Sequence, residues 1–354
     1  MSRIAFYLTS FDGGGAERNT ALIAAEMSRQ GHTVLVIVDR DTGPNRKLLP
    51  SCVQVEILSS NFMRNIFGLR RILNKWRADV VFARLGLCPI VATLAKPRSC
   101  RLIISYHNPY DPNTSLGVRA TWWAVPVLSR IANATFGVSV DIKNELLKFG
   151  APPRRCHSIP NPVALDWINS NKDEALPIGF PTRKPFILSV GRLVPQKGYS
   201  DLIAAYASIA DKVNEELVIL GQGPLEKELR EQIQTLGVEN RVHLAGYMEN
   251  PFPAYASCRL FVLASHWEGF GNVMVEALAC GASVVATNCP GGPKDILENG
   301  RFGTLVQVQN PSALAKAILT TLNTSADIEQ NISRASDYAL SKITNQYVNL
   351  ILAD

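Results

Sequence analysis

The stretch "RLFVLASHWEGFGNVMVEALACG", residues 259–281, holds three patterns in succession. "RLFVLAS" reads as a buried β-strand and "HWEGFG" as a loop. "NVMVEALAC" reads as a helix, with Asn272 as an N-cap residue and Gly281 in the position where glycine commonly ends a helix. Strand, short loop and helix together form the repeating unit of open parallel sheets. Two glutamates flank the turn, Glu268 before it and Glu276 about one turn inside the helix. They are either two solvated acids or two acids that face a ligand lying against the helix start.

The same rhythm extends outward in both directions. "PFILSVGR", "ELVILGQG", "RVHLAG", "ASVVATN" and "GTLVQV" are further short strands of the C-terminal half. "NPSALAKAILTTL" opens with Asn310 as N-cap and Pro311 at the first helical position. In the N-terminal half "RIAFYL", "HTVLVIV", "ADVVFARL", "RLIISYHN" and "ATFGVSV" are strands rich in apolar and β-branched residues, as buried parallel strands are. Helical stretches separate them. Prolines 152, 153, 160 and 162 interrupt the alternation, and a polar stretch runs on to Pro185. The expected class is α/β, with two doubly wound Rossmann-like domains facing a cleft. The expected division is residues 1–165, then 166–335, then a C-terminal helix in 336–354 that could pack back on the first domain.

Bulk properties agree with this reading. A chain of 354 residues exceeds what one compact core usually fills. No apolar run approaches the length of a membrane-spanning helix, and the apolar start of "MSRIAFYLTSFDGGG" is too short for a signal peptide. Seven cysteines without a Cys-x-x-Cys pair point to reduced thiols, a cytoplasmic location and no structural zinc. The net charge of +6 conceals an asymmetry. Residues 1–165 hold 21 Lys and Arg against 10 Asp and Glu, whereas the rest hold 15 against 20. The basic half is therefore expected to meet something anionic.

Several motifs lie at predicted strand ends, where ligands of such sheets bind. "GGGAER" (13–18) opens the first helix, and Gly14 and Gly15 would let a phosphate or a sugar approach the backbone. A dinucleotide fingerprint starting at Gly13 would need a last glycine where Arg18 stands, so a dehydrogenase does not fit. "DRD" (39–41) superficially matches a metal-binding Asp-x-Asp but sits at the end of an ordinary strand, and reads as loop. "SVGRLVPQKG" carries Arg192 and Lys197, which are two surface cations or a diphosphate clamp. In "GQGP", Gly221 and Gly223 form a turn that could meet a base or simply join two elements. His107, in "IISYHNP", is at a strand end. A lone histidine is more often structural, but here it could contact a reacting sugar.

Two stretches are candidates for contact with a membrane or an acceptor. "NFMRNIFGLRRILNKWR" (61–77) sets Phe62, Ile66, Leu69, Leu73 and Trp76 at helical spacing among Arg64, Arg70, Arg71, Lys75 and Arg77. "RATWWAVPVLSR" (119–130) adds Trp122 and Trp123. The plainer reading is helices packing an apolar face on the sheet.

Taken together, "GGGAER", "GRLVPQKG", "GQGP" and "EGFGNVMVEALACG" resemble the retaining glycosyltransferases of family four, which have the GT-B fold. The Glu–seven residues–Glu arrangement carries most of the likeness. "GGGAER" and "CPGGPKDIL" (289–297) are also similar to bacterial enzymes that extend lipid-linked or surface glycans. "IPNPV" (160–164) departs from the family, which more often has Asn-Gly there, so a stiffer linker is expected.

The resemblance implies transfer of a hexose or N-acetylhexosamine from a nucleotide diphosphate sugar, UDP-linked, to a hydroxyl of a glycan or polyprenyl-diphosphate-linked acceptor. It also implies no metal cofactor and no nucleic-acid partner. Gly14 and Gly15 would approach the donor, and Arg192 and Lys197 would hold its diphosphate. Glu268 would contact the sugar, with the amides of Phe270, Gly271 and Asn272 nearby. Glu276 would hold the ribose, and His107 would stand near the reacting carbon. The enzyme would work at the cytoplasmic face of an anionic inner membrane. A nucleotide-sugar epimerase of similar fold, or a non-catalytic nucleotide-sugar-binding protein, are the alternatives. Intact Glu268, Glu276, Arg192 and Lys197 argue against the second.

Overall fold

The computed structural model describes residues 1–59, 61–325 and 327–352. The chain forms two compact units. The first comprises Met1–Pro162 with Leu340–Asp354, and the second Val163–Ala339. The boundaries differ from the expected 165 and 335 because Val163 is already tied to the second unit. Its N–H donates to the Tyr338 carbonyl at 2.8 Å, and it bridges Ala339 in parallel.

The first unit is built on seven strands: β1 (Arg3–Leu8), β2 (Thr33–Val38), β3 (Gln54–Ile57), β4 (Val80–Arg84), β5 (Arg101–Tyr106), β6 (Ala134–Gly137) and β7 (Cys156–Ser158). All pairings are parallel, in the order β3-β2-β1-β4-β5-β6-β7. Strands β1, β2 and β4 are buried almost throughout, which explains their unbroken apolar runs: helices cover both faces, so no alternation survives. The helix Leu340–Leu352 belongs to this unit and packs on the helix Gly15–Arg29. Its Tyr347 is fully buried, 5.5 Å from the Phe82 ring and edge-on to Phe136 at 5.1 Å.

The second unit carries β8 (Phe186–Val190), β9 (Glu216–Leu220), β10 (Val242–Leu244), β11 (Leu260–Leu263), β12 (Val284–Thr287) and β13 (Thr304–Val306). They too are parallel, in the order β10-β9-β8-β11-β12-β13. On one face Leu217, Ile219, Val262 and Val285 pack with Ile203, Leu229 and Ile318 from the flanking helices. Burying each such side chain stabilises the unit by roughly 1.5–3 kcal/mol before the entropy of ordering is set against it.

In each sheet the chain reverses its direction of winding once, between β1 and β4 in the first and between β8 and β11 in the second. The helices that follow the two neighbouring strands then lie on opposite faces, leaving a crevice at the carboxyl ends of the strands. Among the described residues no helix is long and apolar enough to cross a membrane.

Candidate functional site

In the second unit the loops that leave β8 and β11 meet at this reversal point. The loop after β8 ends in a short turn, Pro195–Lys197, which directs Lys197 toward β11. Lys197 Nζ lies 2.6 Å from Glu268 Oε1. Ser265 Oγ donates to the same oxygen at 2.6 Å. Both contacts use Oε1. Glu268 is 5% exposed, and such a buried carboxylate is tolerable only with partners of this kind.

The Glu268 loop is held from behind by the loop after β12. The Glu268 N–H donates to the Pro290 carbonyl at 2.9 Å. A Cβ on Gly291 would run into the Glu268 carbonyl, and one on Gly292 into that of Phe270. Gly291 also has φ +120°, so both space and conformation require glycine there.

The helix Asn272–Ala279 begins at Gly271, whose left-handed backbone (φ 97°) turns the chain into the first helical residue. Asn272 is therefore not the N-cap residue expected from the sequence. The cap is Gly271, because the tight turn after Phe270 needs a positive φ that asparagine reaches less readily. The Phe270 ring is buried and meets Tyr338 at 5.4 Å, so only the backbone of Phe270 can serve a ligand. Glu276 is 6% exposed, and Tyr255 Oη donates to its Oε2 at 3.3 Å. Burial, and then the Glu276 charge, push the Tyr255 phenol far up, so it remains a donor. Arg192 is exposed, and its side chain makes no hydrogen bond or ion pair among the described residues.

In the first unit Gly14 is the N-cap of the helix Gly15–Arg29, and the space its side chain would fill is taken by the Glu17 carboxylate. His107 follows β5 and is 7% exposed. Arg84, the last residue of β4 and fully buried, donates from Nε to His107 Nε2 at 3.1 Å. It also donates from Nη2 to Tyr347 Oη at 3.4 Å. Ser105 Oγ is 2.9 Å from the same imidazole nitrogen. Burial first, and the Arg84 guanidinium second, push the His107 imidazole well below its ordinary value. Asp39 accepts from Tyr7 Oη at 2.8 Å and from the Asn65 amide at 2.7 Å, and Asp41 pairs with Arg46 at 3.3 Å. "DRD" is thus occupied in holding loops. Among the described residues no three His, Cys, Asp or Glu are grouped as a metal would need.

The basic helix Phe62–Trp76 is capped by Asn61, which accepts from the Arg64 amide at 3.0 Å. Leu69 and Leu73 are buried, while Phe62, Met63 and Phe67 are exposed beside the exposed Arg64, Arg70, Arg71 and Lys75. Trp123 is half exposed under the Arg119 guanidinium, 4.9 Å from its ring. Trp122 is not a surface residue as expected. It is 3% exposed, in a cluster with Tyr106, Tyr110 and Phe149, because adjacent residues of a helix point about 100° apart.

Arg84, Ser105, Ser265, Tyr255, Gly291 and Gly292 were not singled out in the sequence as site residues. The paired glycines of "CPGGP" offered a signal. The serines and Tyr255 offered none.

Two doubly wound parallel sheets, with a Lys–Glu pair and a helix start at the reversal point of the second, define a two-domain enzyme of the GT-B kind. Residues 13–167 match the family model described as Glycosyltransferase Family 4, and residues 171–337 the one described as Glycosyl transferases group 1. The chain is 36% identical over 341 residues to the N-acetylgalactosamine-N,N'-diacetylbacillosaminyl-diphospho-undecaprenol 4-alpha-N-acetylgalactosaminyltransferase of Campylobacter jejuni, covering 91% of this chain and 90% of that one. A second Campylobacter jejuni relative is named GalNAc-alpha-(1->4)-GalNAc-alpha-(1->3)-diNAcBac-PP-undecaprenol alpha-1,4-N-acetyl-D-galactosaminyltransferase. It is 24% identical, over 99% of this chain and 98% of its own. Among solved structures, Anabaena Alr3699/HepE in complex with UDP superposes with a TM-score of 0.85 at 23% identity, over 99% of this chain and all of that one. The chain belongs to the family-four glycosyltransferases and is a glycosyltransferase.

Proposed function

We propose that the protein transfers a hexose or N-acetylhexosamine from a UDP-sugar to a hydroxyl of a polyprenyl-diphosphate-linked glycan, with retention of anomeric configuration and without a metal ion. The observation that carries this reading is the Lys197–Glu268 pair beside the start of the helix Asn272–Ala279. A cation and a helix amino end converge there, which suits a leaving diphosphate, and a carboxylate oxygen remains for a sugar hydroxyl. Arg192, exposed on the same loop as Lys197, adds a second cation with a fork that fits phosphate oxygens. Glu276 on the second turn is suited to two vicinal hydroxyls of a ribose. The acceptor hydroxyl attacks from the face that the diphosphate leaves, and that departing group can take the hydroxyl proton. A lipid-linked acceptor is supported by the names of the two Campylobacter jejuni relatives, both of which act on undecaprenyl-diphosphate glycans.

The test is a panel of UDP-sugars incubated with polyprenyl-linked glycans and read by mass spectrometry. Transfer of one sugar to the acceptor is expected. Conversion of a nucleotide sugar to its epimer without an acceptor would replace the proposal with an epimerase. Binding of a UDP-sugar without either product would leave a binding protein.

The basic helix Phe62–Trp76, with Phe62, Met63 and Phe67 exposed among its cations, is suited to peripheral contact with an anionic cytoplasmic membrane face. Replacing Arg70, Arg71 and Lys75 with glutamate is expected to release the protein from anionic vesicles in sedimentation. Unchanged sedimentation would remove the membrane from the proposal.

A further inference from the structure

The first unit contains a buried cation that the reaction as described does not use. Arg84 is fully buried, and its hydrogen bonds go to the uncharged groups of His107 and Tyr347. A guanidinium N–H can only donate, so His107 Nε2 must present its lone pair to Arg84 Nε. The single proton of the neutral ring is then on Nδ1, and Ser105, 2.9 Å from Nε2, donates its hydroxyl as well. Nδ1 is buried and has no hydrogen-bond partner among the described residues, and neither has Arg84 Nη1.

We propose that Arg84 is a positioning residue that locks His107 as a neutral imidazole with its proton on Nδ1, so that His107 donates a hydrogen bond to an uncharged oxygen of the transferred sugar and takes no part in proton transfer. The reasoning is one of elimination at each nitrogen. Nε2 cannot act as a base, because its lone pair already faces Arg84 and Ser105. Nδ1 can give a hydrogen bond but accepts none. An imidazolium would place a second positive charge against Arg84 in a buried setting, where it is poorly screened. The groups around the ring reinforce this. Arg84 comes from β4 and Tyr347 from the C-terminal helix; burial lowers the Arg84 guanidinium from its ordinary value, and Tyr347, then the charge of Glu17 on the first helix, oppose that shift. Tyr347 restrains the guanidinium from the far side, since its hydroxyl meets Nη2 and its ring lies 5.7 Å from the guanidinium carbon. The sugar-binding half of the proposal rests on the glycosyltransfer reading above. The lock itself does not.

The experiment is ¹⁵N spectroscopy of the imidazoles in the full-length chain, which has five histidines, with His107 assigned by its loss in His107→Gln. The expected wild-type result is a proton on Nδ1 and no titration of His107 between pH 8 and pH 5.5. In Arg84→Met, of similar length but uncharged, His107 should titrate closer to the ordinary histidine range and populate both tautomers. The transfer reaction of that variant should lose about tenfold in kcat, the cost of one mispositioned hydrogen bond, with the donor KM little changed. Its rate should also gain an acidic limb that the wild type lacks. If Arg84→Met fails to fold, Tyr347→Phe, which loosens Arg84 by one hydrogen bond, should shift the His107 titration in the same direction. A wild-type proton on Nε2, or a His107 titration unaltered in the variants, would overturn the lock. The spectra need no substrate, so a failure of the UDP-sugar panel is distinguishable from a failure here.

Discussion

In the second unit the partly buried cation Lys197 meets a carboxylate at 2.6 Å, whereas in the first the fully buried cation Arg84 meets an imidazole at 3.1 Å and a phenol at 3.4 Å. The two arrangements solve different problems. A lysine paired with Glu268 is partly neutralised at rest, and the diphosphate proposed to bind there would compete for the ammonium and rearrange the pair. A guanidinium whose hydrogen bonds go to neutral groups holds no directly paired anion to exchange, so it imposes its field on whatever lies beside it, and His107 lies beside it. The first kind of centre suits a charge that must respond to the ligand, and the second suits a group whose protonation must not change. Placing each at the carboxyl ends of a parallel sheet is common to both units.

The sharpest test of the contrast removes the responsive cation. Lys197→Ala takes away the charge proposed for the leaving group and strands a buried Glu268, so kcat is expected to fall about 10²- to 10³-fold, with a smaller change in donor KM. Steady-state kinetics over a range of donor concentrations would check it, and a change confined to KM would move Lys197 from the chemistry to simple binding. Glu276→Ala should do the converse. Losing hydrogen bonds to a charged group costs about 1.5–3 kcal/mol, so donor affinity should weaken at least tenfold by calorimetric titration while kcat holds.

Gly291→Ala probes the backing of the Glu268 loop without touching a charge. The left-handed backbone and the clash with the Glu268 carbonyl should reduce stability by about 1–3 kcal/mol, seen as a lower melting temperature. An unshifted melting temperature would mean that the loop can move aside at little cost.

The smallest effect belongs to His107. Its folded value lies well below that of the unfolded chain, so as pH falls through about 6.5 the unfolded state takes up a proton that the folded state refuses. Stability is thus complete above that pH and declines below it. Comparing urea unfolding at pH 7.5 and 5.5, the wild type should lose about 1.4 kcal/mol more than His107→Gln. An equal loss in both would show that His107 titrates normally, against the contrast drawn for the Arg84 centre.

Legibility in the sequence followed the same division. Glu268 and Glu276 were readable because loop and helix are contiguous in the chain, and Lys197 because it sits on a turn of recognisable composition directly after a strand. Arg84 gave almost no signal. It ends the strand "ADVVFARL" as a charged residue at an apolar run's edge, which is usually a solvated position, and only the structure shows it fully buried. Its partners stand at positions 105, 107 and 347, and nothing in local pattern connects them. Trp122 and Trp123 were equally readable as surface aromatics, yet the helix rotation sends one into the Tyr106–Phe149 cluster and leaves the other outside. Asn272 has the side chain of a cap residue, yet the cap is Gly271, whose left-handed backbone angle no side-chain preference records.

The sequence alone determined the α/β class, the two units, the family, and the loop–helix that carries both glutamates. All of these depend on residues a few positions apart, whose spacing is preserved in the fold. Only the tertiary structure decided that the chain returns to the first unit with Tyr347, that Gly291 braces Glu268, and that Arg84 faces His107. Such contacts arise when parallel strands distant in the chain are laid side by side, and no local preference records which strand ends will become neighbours.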